Sequence, residues 1–253
     1  MAILSLAMLC GCSKGPLKSL FIRRPTCVHV CNYTETPIVI DGIREEAWDK
    51  AIPITGYLVP PDAKKPLSKT EARMLWDDKA IYFYVYAEDK DLFAVETKAD
   101  ALTCLNDVLE FFIGYKAPGT NDLKYMNFEI NALGTIYDAY CPIGGQGICM
   151  AETRWKLWNC DSIQLKIKLD GTLNNYHDED KGWAMELAIP FDAIPWMAGR
   201  GLPENNESWT MHLARYDYSV YLPEACELSS TAPFDQVAFH LTDQFQPLIF
   251  KKN

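Results

Sequence analysis

Two tryptophans three residues apart, Trp155 and Trp158 in Thr153-Arg154-Trp155-Lys156-Leu157-Trp158-Asn159, sit in a polar stretch. That setting suits a pair of flat rings offered to a ligand. It equally suits core residues where a strand begins, and the sequence leaves both roles open. Tyr216, Tyr218 and Tyr221 alternate after Arg215; such phenol rings stack on apolar ligand faces or pack along a sheet edge. Glu129, Arg215 and His240 are the polar groups that would hold a ligand's hydrogen-bonding rim if their strands bring them together, a buried ion pair being the other reading. Asp89, Asp91 and Asp107 lie in acidic turns able to give hard oxygen ligands to calcium, without a D-x-D-x-D-G loop to frame them. There is no G-x-S-x-G turn and no H-E-x-x-H helix motif. With 34 acidic residues a hydrolytic carboxylate pair is always conceivable, so their number carries no signal.

The surroundings of these residues narrow the partners. The formal net charge of -10 repels phosphate backbones and argues against nucleic acid. An apolar fraction of 49% supports a packed core. At the start, Met1 to Leu9 is almost wholly apolar and runs into Leu9-Cys10-Gly11-Cys12, then Ser13-Lys14-Gly15. A run this short cannot span a bilayer as a helix. It reads as the apolar part of an export signal over 1–11, with Cys12 in the position acylated in bacterial lipoproteins. That predicts an exported protein of the bacterial outer membrane or periplasm, touching the membrane only through a lipid anchor. After Cys12 seven cysteines remain, an odd number that cannot all pair within the chain. Cys141 with Cys149 is one candidate pair, and buried thiols are the alternative.

Positioning falls to strands. After a lead-in over 12–36, short apolar runs recur between turn residues up to residue 253. Ile81 to Tyr86 is β-branched and aromatic, Val108 to Ile113 ends at Gly114, and Tyr125 to Ile130 with Thr135 to Tyr140 reads as a hairpin. Ile163, Leu165, Ile167 and Leu169 alternate with Gln164, Lys166 and Lys168, and Trp183 to Ile189 repeats the period of two. Trp209 to Leu213, Val237 to Leu241 and Leu248 to Phe250 complete the strands. Helix is limited to Arg44 to Lys50 and a brief stretch at Phe191 to Met197, where Pro195 intervenes. The expected fold is one all-β domain over 37–253, an antiparallel β-sandwich of immunoglobulin-like architecture with a few short helices.

The runs also match a pattern in order. Ile40-Asp41-Gly42 with Glu45, Ala47 and Trp48, Arg73 to Asp78, Asn106 to Ile113, Phe128 to Thr135, Gly182 to Pro190, Arg215, and Phe239-His240 with Phe245 together resemble family 9 carbohydrate-binding modules over about residues 38–250. The resemblance implies a DOMON-like sandwich, non-catalytic binding of oligo- or polysaccharide such as plant xylan, and structural calcium. It does not carry over the family's sugar-sandwiching tryptophans, since Cys104-Leu105 and Phe239 stand near those positions and Glu129 stands where an arginine falls. Two other readings follow from the same likeness. One is an endoxylanase-like glycoside hydrolase, because such modules accompany xylanases. The other is a haem-binding DOMON-like domain with Met126 and His212 as axial ligands.

Overall fold

The structure of the protein is a computed structural model that describes residues 27–142 and 158–252. Among these residues regular structure is almost all strand: β1 (His29–Tyr33), β2 (Thr70–Trp76), β3 (Ala80–Glu88), β4 (Val108–Lys116), β5 (Leu123–Asn131), β6 (Ile136–Cys141), β7 (Gln164–Asp170), β8 (Gly182–Pro190), β9 (Ser208–Tyr218), β10 (Cys226–Ser230) and β11 (Gln246–Lys251). The two expected helices are single 3-10 turns, Glu46–Lys50 and the pair Phe191–Ala193 and Pro195–Met197.

The strands form one curled sheet in the order β6-β5-β4-β9-β11-β1-β2-β3-β8-β7, with β10 also paired to β9. Most pairs are antiparallel. The exception is β1, which runs parallel to both β11 and β2 and so joins the two halves of the sheet. The stretch read from sequence as a lead-in thus contributes a strand at His29–Tyr33.

The halves fold face to face because alternate residues on each strand are apolar. Ile81, Phe83 and Val85 of β3 and Trp183, Met185, Leu187 and Ile189 of β8 meet Leu109, Phe111 and Ile113 of β4 and Met126, Phe128 and Ile130 of β5 in one core. The Phe83 and Phe111 rings lie 5.1 Å apart, edge to face, across the two layers. Each such fully buried side chain contributes about 1.5–3 kcal/mol of transfer free energy.

Each half also has an outer face, and the two are covered differently. Outside β4 and β9, Phe112, Tyr125 and Ala214 are sealed by Ala232, Phe234, Phe239, Leu241 and Phe245. The run Val237 to Leu241, expected as a strand, pairs with no strand; Phe239 and Leu241 are spent on packing in this cover, while Val237 is exposed. Outside β2, β3 and β8, the segment carrying Trp48 and Ala51 covers only part of the face, over Leu75, Tyr82, Tyr84 and Ala188. The uncovered part is where the surface opens.

Candidate functional site

The open part of the outer face is built by register. Glu71 of β2 lies opposite Tyr86 of β3, Tyr86 opposite Ala184 of β8, and Ala184 opposite Lys168 of β7. One row across four strands therefore reads acid, phenol, methyl, ammonium. The neighbouring row, Arg73-Tyr84-Glu186-Lys166, is set by the same pairings. It is largely roofed by the Ile40-Asp41-Gly42 loop and Trp48. Glu186 holds that roof, accepting from Asp41 N at 2.8 Å, Gly42 N at 2.7 Å and Trp48 Nε1 at 2.9 Å. Gly42 takes a φ of 83°, which its lack of a Cβ permits.

The roof forms one wall of a trough. A depression of about 640 Å³ on the β2 side and one of about 340 Å³ over Ala184 meet at Arg44, Tyr84 and Tyr86. Tyr57, Leu58, Pro66 and Leu67 close the β2 end. The polar lining alternates in sign. Glu71 is gripped by Arg73 through Nε and Nη2, both at 2.8 Å, and Arg73 also donates to the carbonyls of Trp48 and Ala51. Glu88 pairs loosely with Lys69 at 3.5 Å, and Asp170 with Lys181 at 3.5 Å. Arg44 pairs with Asp49. Burial, and after it the charges of Asp170 and Glu88, raise the Tyr86 phenol, so it remains a neutral donor. Its hydroxyl donates to Lys181 O at 3.3 Å. Tyr57 is 3% exposed and its hydroxyl has no hydrogen-bond partner. A phenol ring beside a methyl gap, with a rim of donors and acceptors, can take an apolar sugar face and its hydroxyls.

The described residues expected from sequence lie outside the trough; Glu129, Tyr216 and Tyr218 come near one another around the Thr103–Leu105 turn, and the others are spread over the fold. Trp155 falls outside the described residues. Trp158 is half-buried and packs at 5.9 Å on Phe128 and 6.1 Å on Tyr140. Arg215 points between the layers, 1% exposed, while Tyr216 points the other way from β9 onto Phe239. The Tyr218 hydroxyl donates to Cys104 O at 3.0 Å, and Tyr221, 45% exposed, donates to Asp178 O. Glu129 accepts from Thr103 Oγ1 at 3.1 Å, and His240 Nδ1 bonds the Tyr125 hydroxyl at 2.9 Å. Tyr125 and Glu129 are four residues apart on β5, about 13 Å, so these two contacts stand apart along one face of the strand. The sheet itself separates both from Arg215. Met126 is in the core between the layers, whereas His212 stacks on Phe112 outside it, so the two cannot face one iron. Both His212 ring nitrogens are engaged, by Ser230 Oγ and Phe239 O. The six described cysteines are thiols; Cys12 and Cys149 lie outside the described residues.

Sequence reasoning missed the trough. Its one legible sign was Ile81-Tyr82-Phe83-Tyr84-Val85-Tyr86, where three phenols share a face by period two.

Of the three acids expected to hold calcium, two meet. Asp89 and Asp107 converge with Asp217, their carboxylate oxygens within 4.8 Å of one another. Asp91 is engaged separately, accepting from Val220 N at 2.8 Å. Arg215 Nη2 reaches Asp89 at 3.1 Å and Asp217 at 3.2 Å. Asp107 accepts from Phe93 N at 2.5 Å and Tyr218 N at 2.7 Å. Three buried carboxylates thus face one guanidinium. Burial, and then the Asp217 charge against the pull of Arg215, pushes Asp89 up to about 7; burial and Asp89 raise Asp107. Asp217 is 3% exposed and neither of its oxygens accepts a hydrogen bond. Hard oxygen donors with a deficit of positive charge fit a calcium ion.

No protein-family profile and no curated protein matches the chain. Solved structures do. A family 9 carbohydrate-binding module from Caldicellulosiruptor kristjanssonii in complex with cellotriose aligns over 90% of this chain and 95% of its own, with 14% identity and a TM-score of 0.55. The same organism's module in complex with glucose aligns over 88% and 96%, with 13% identity and a TM-score of 0.54. A Bacteroides uniformis protein proposed to bind carbohydrate aligns over 90% and 100%, with 14% identity and a TM-score of 0.64. The protein is therefore an all-β sandwich. More narrowly, it has the fold of family 9 carbohydrate-binding modules.

Proposed function

We propose that this protein binds carbohydrate without cleaving it, and does so in the trough across β2, β3, β8 and β7. One observation carries the reading: the row Glu71-Tyr86-Ala184-Lys168 offers a ring with open space beside it on a rigid sheet, in a fold that other proteins use with cellotriose and glucose. The carboxylates lining the trough, Glu71, Glu88 and Asp170, are each in an ion pair, which suits holding a sugar rather than attacking its glycosidic bond.

The finer parts of the reading rest on narrower support. Plant polysaccharide such as xylan is the ligand class that the sequence resemblance suggests. Export and acylation at Cys12, placing the protein at the bacterial envelope, rest on the residue pattern of 1–12. Calcium, held by Asp89, Asp107 and Asp217, would tie the turn after β3 to the start of β4 and the end of β9.

Calorimetric titration with cello- and xylo-oligosaccharides tests the function. Saturable binding that weakens about tenfold in Tyr86→Ala, the scale of one lost ring contact, is the expected result. Flat titrations with every oligosaccharide, or binding unchanged in Tyr86→Ala, would remove this site from consideration.

A further inference from the structure

The charge around the trough runs against that of the chain. Acids outnumber Lys and Arg by 34 to 24 overall. Around the two joined depressions the balance reverses: Arg44, Lys65, Lys69 and Lys168 against Glu71, Glu88 and Asp170. The pairing is uneven as well. All three carboxylates are taken by cations, and Glu71 is taken most firmly, by Arg73, a residue that lines neither depression. Lys65 and Lys168 have no ion-pair partner among the described residues. They stand at opposite ends of the trough, Lys65 just ahead of β2 and Lys168 on β7. Three strand spacings separate β2 from β7, about 14 Å, so the two ammonium groups bracket a span longer than one sugar ring, with Tyr86 and Ala184 between them.

We infer that the trough selects an acidic oligosaccharide, one whose pyranose rings carry uronate carboxylates. This rests on the reading of the trough as the saccharide site and adds the ligand's charge to it. The ring of Tyr86 takes the apolar face of one sugar, and Lys65 and Lys168 meet carboxylates displaced to either side. Lysine suits this role because it is a compact charge on a long stem, able to follow a carboxylate without demanding one geometry.

The test titrates the full chain with three oligosaccharides of equal length: a neutral xylo-oligosaccharide, an oligogalacturonate and a sulfated oligosaccharide. Each is measured at 50 and 500 mM sodium chloride, and again with Lys65→Gln/Lys168→Gln, whose exposed side chains leave the core untouched. The oligogalacturonate is expected to bind about tenfold more tightly than the neutral ligand at low salt, the effect of two solvent-exposed charge pairs together. High salt should erase that difference while leaving neutral binding in place, and in the double variant the ratio of uronate to neutral affinity should fall to about one. Equal affinity for neutral and acidic ligands overturns the charge selection and leaves saccharide binding standing. Tighter binding of the sulfated ligand than of the uronate overturns the carboxylate assignment. Silence toward all three removes the parent reading with it.

Discussion

The indole Nε1 of Trp48 donates to Glu186 Oε1 at 2.9 Å, between a residue near the start of the fold and one 138 positions later in the middle of β8. The other carboxylate oxygen of Glu186 accepts from Asp41 N and Gly42 N. Two separate stretches of the sequence pattern, the Ile-Asp-Gly start with its tryptophan and the Gly-Trp strand with its glutamate, are thus two halves of one hydrogen-bonded joint. The joint fixes the roof that makes the trough a trough. Burial raises the Glu186 carboxyl, and the three donors oppose that rise.

Glu186→Ala should therefore cost about 3–5 kcal/mol, since it strands three donors, two of them buried, and opens a cavity. In a chain of this size that corresponds to a fall in Tm of about 10 °C. Glu186→Gln keeps the shape and one acceptor and should lose less than half as much. Urea unfolding with an unchanged m-value checks both; an alanine variant as stable as the parent would show that the joint is ornamental.

Ala184 is the position where a larger side chain should block the ligand without unfolding the protein. Its methyl faces the depression of about 340 Å³ beside Tyr86. Ala184→Leu is expected to reduce saccharide affinity at least about tenfold by filling that space, with Tm within a few degrees of the parent. Unchanged affinity in a folded Ala184→Leu protein would place the ligand elsewhere.

How far these features were visible in the sequence depends on what each one rests upon. β7, β8 and β9 were legible because their apolar residues alternate strictly over one buried face. β1 was not: five residues, mixed burial, and parallel partners 43 and about 220 positions away leave no local sign. β2 hid in plain view, since Ala72, Met74 and Trp76 point inward but Leu75 is also buried on the outer face under Trp48. The trough depends on strand order. Nothing local says that Tyr86, Ala184 and Lys168 are neighbours. The acidic cluster was half legible: Asp89 and Asp107 sit in recognisable turns, whereas Asp217 follows Arg215 on β9 and joins them only because β9 ends beside those turns.

That cluster gives a metal prediction. Calcium should raise Tm relative to EDTA, by the equivalent of about 2.7 kcal/mol at a hundredfold excess over Kd. Asp217→Asn should abolish the calcium effect. In EDTA the same variant should be more stable than the parent, because it removes a buried carboxylate that accepts no hydrogen bond. Equal Tm in calcium and EDTA for the parent would mean that Arg215 alone balances the cluster.

Acid sensitivity is predicted by two buried histidines. Burial lowers His212 to about 3 and His29 to about 4. In the unfolded chain both titrate near 6.5. Between about pH 6.5 and 4 the unfolded state binds protons that the native state refuses. Stability is then fully present above pH 6.5 and falls as pH drops, by up to about 1.4 kcal/mol per pH unit for each histidine. Asp89, raised to about 7, works in the opposite sense: its contribution is present at low pH and fades as pH rises toward 7, so the acid limb is best measured with calcium present to hold that carboxylate ionised. His29 is the informative residue, because it is 3% exposed and its Nε2 has no hydrogen-bond partner to lose. His29→Leu should match or exceed the parent's stability at pH 5 and show a shallower fall of Tm between pH 6.5 and 4, by one proton's worth of slope. A variant whose acid limb stays as steep as the parent's would mean that this histidine is not held neutral in the native fold.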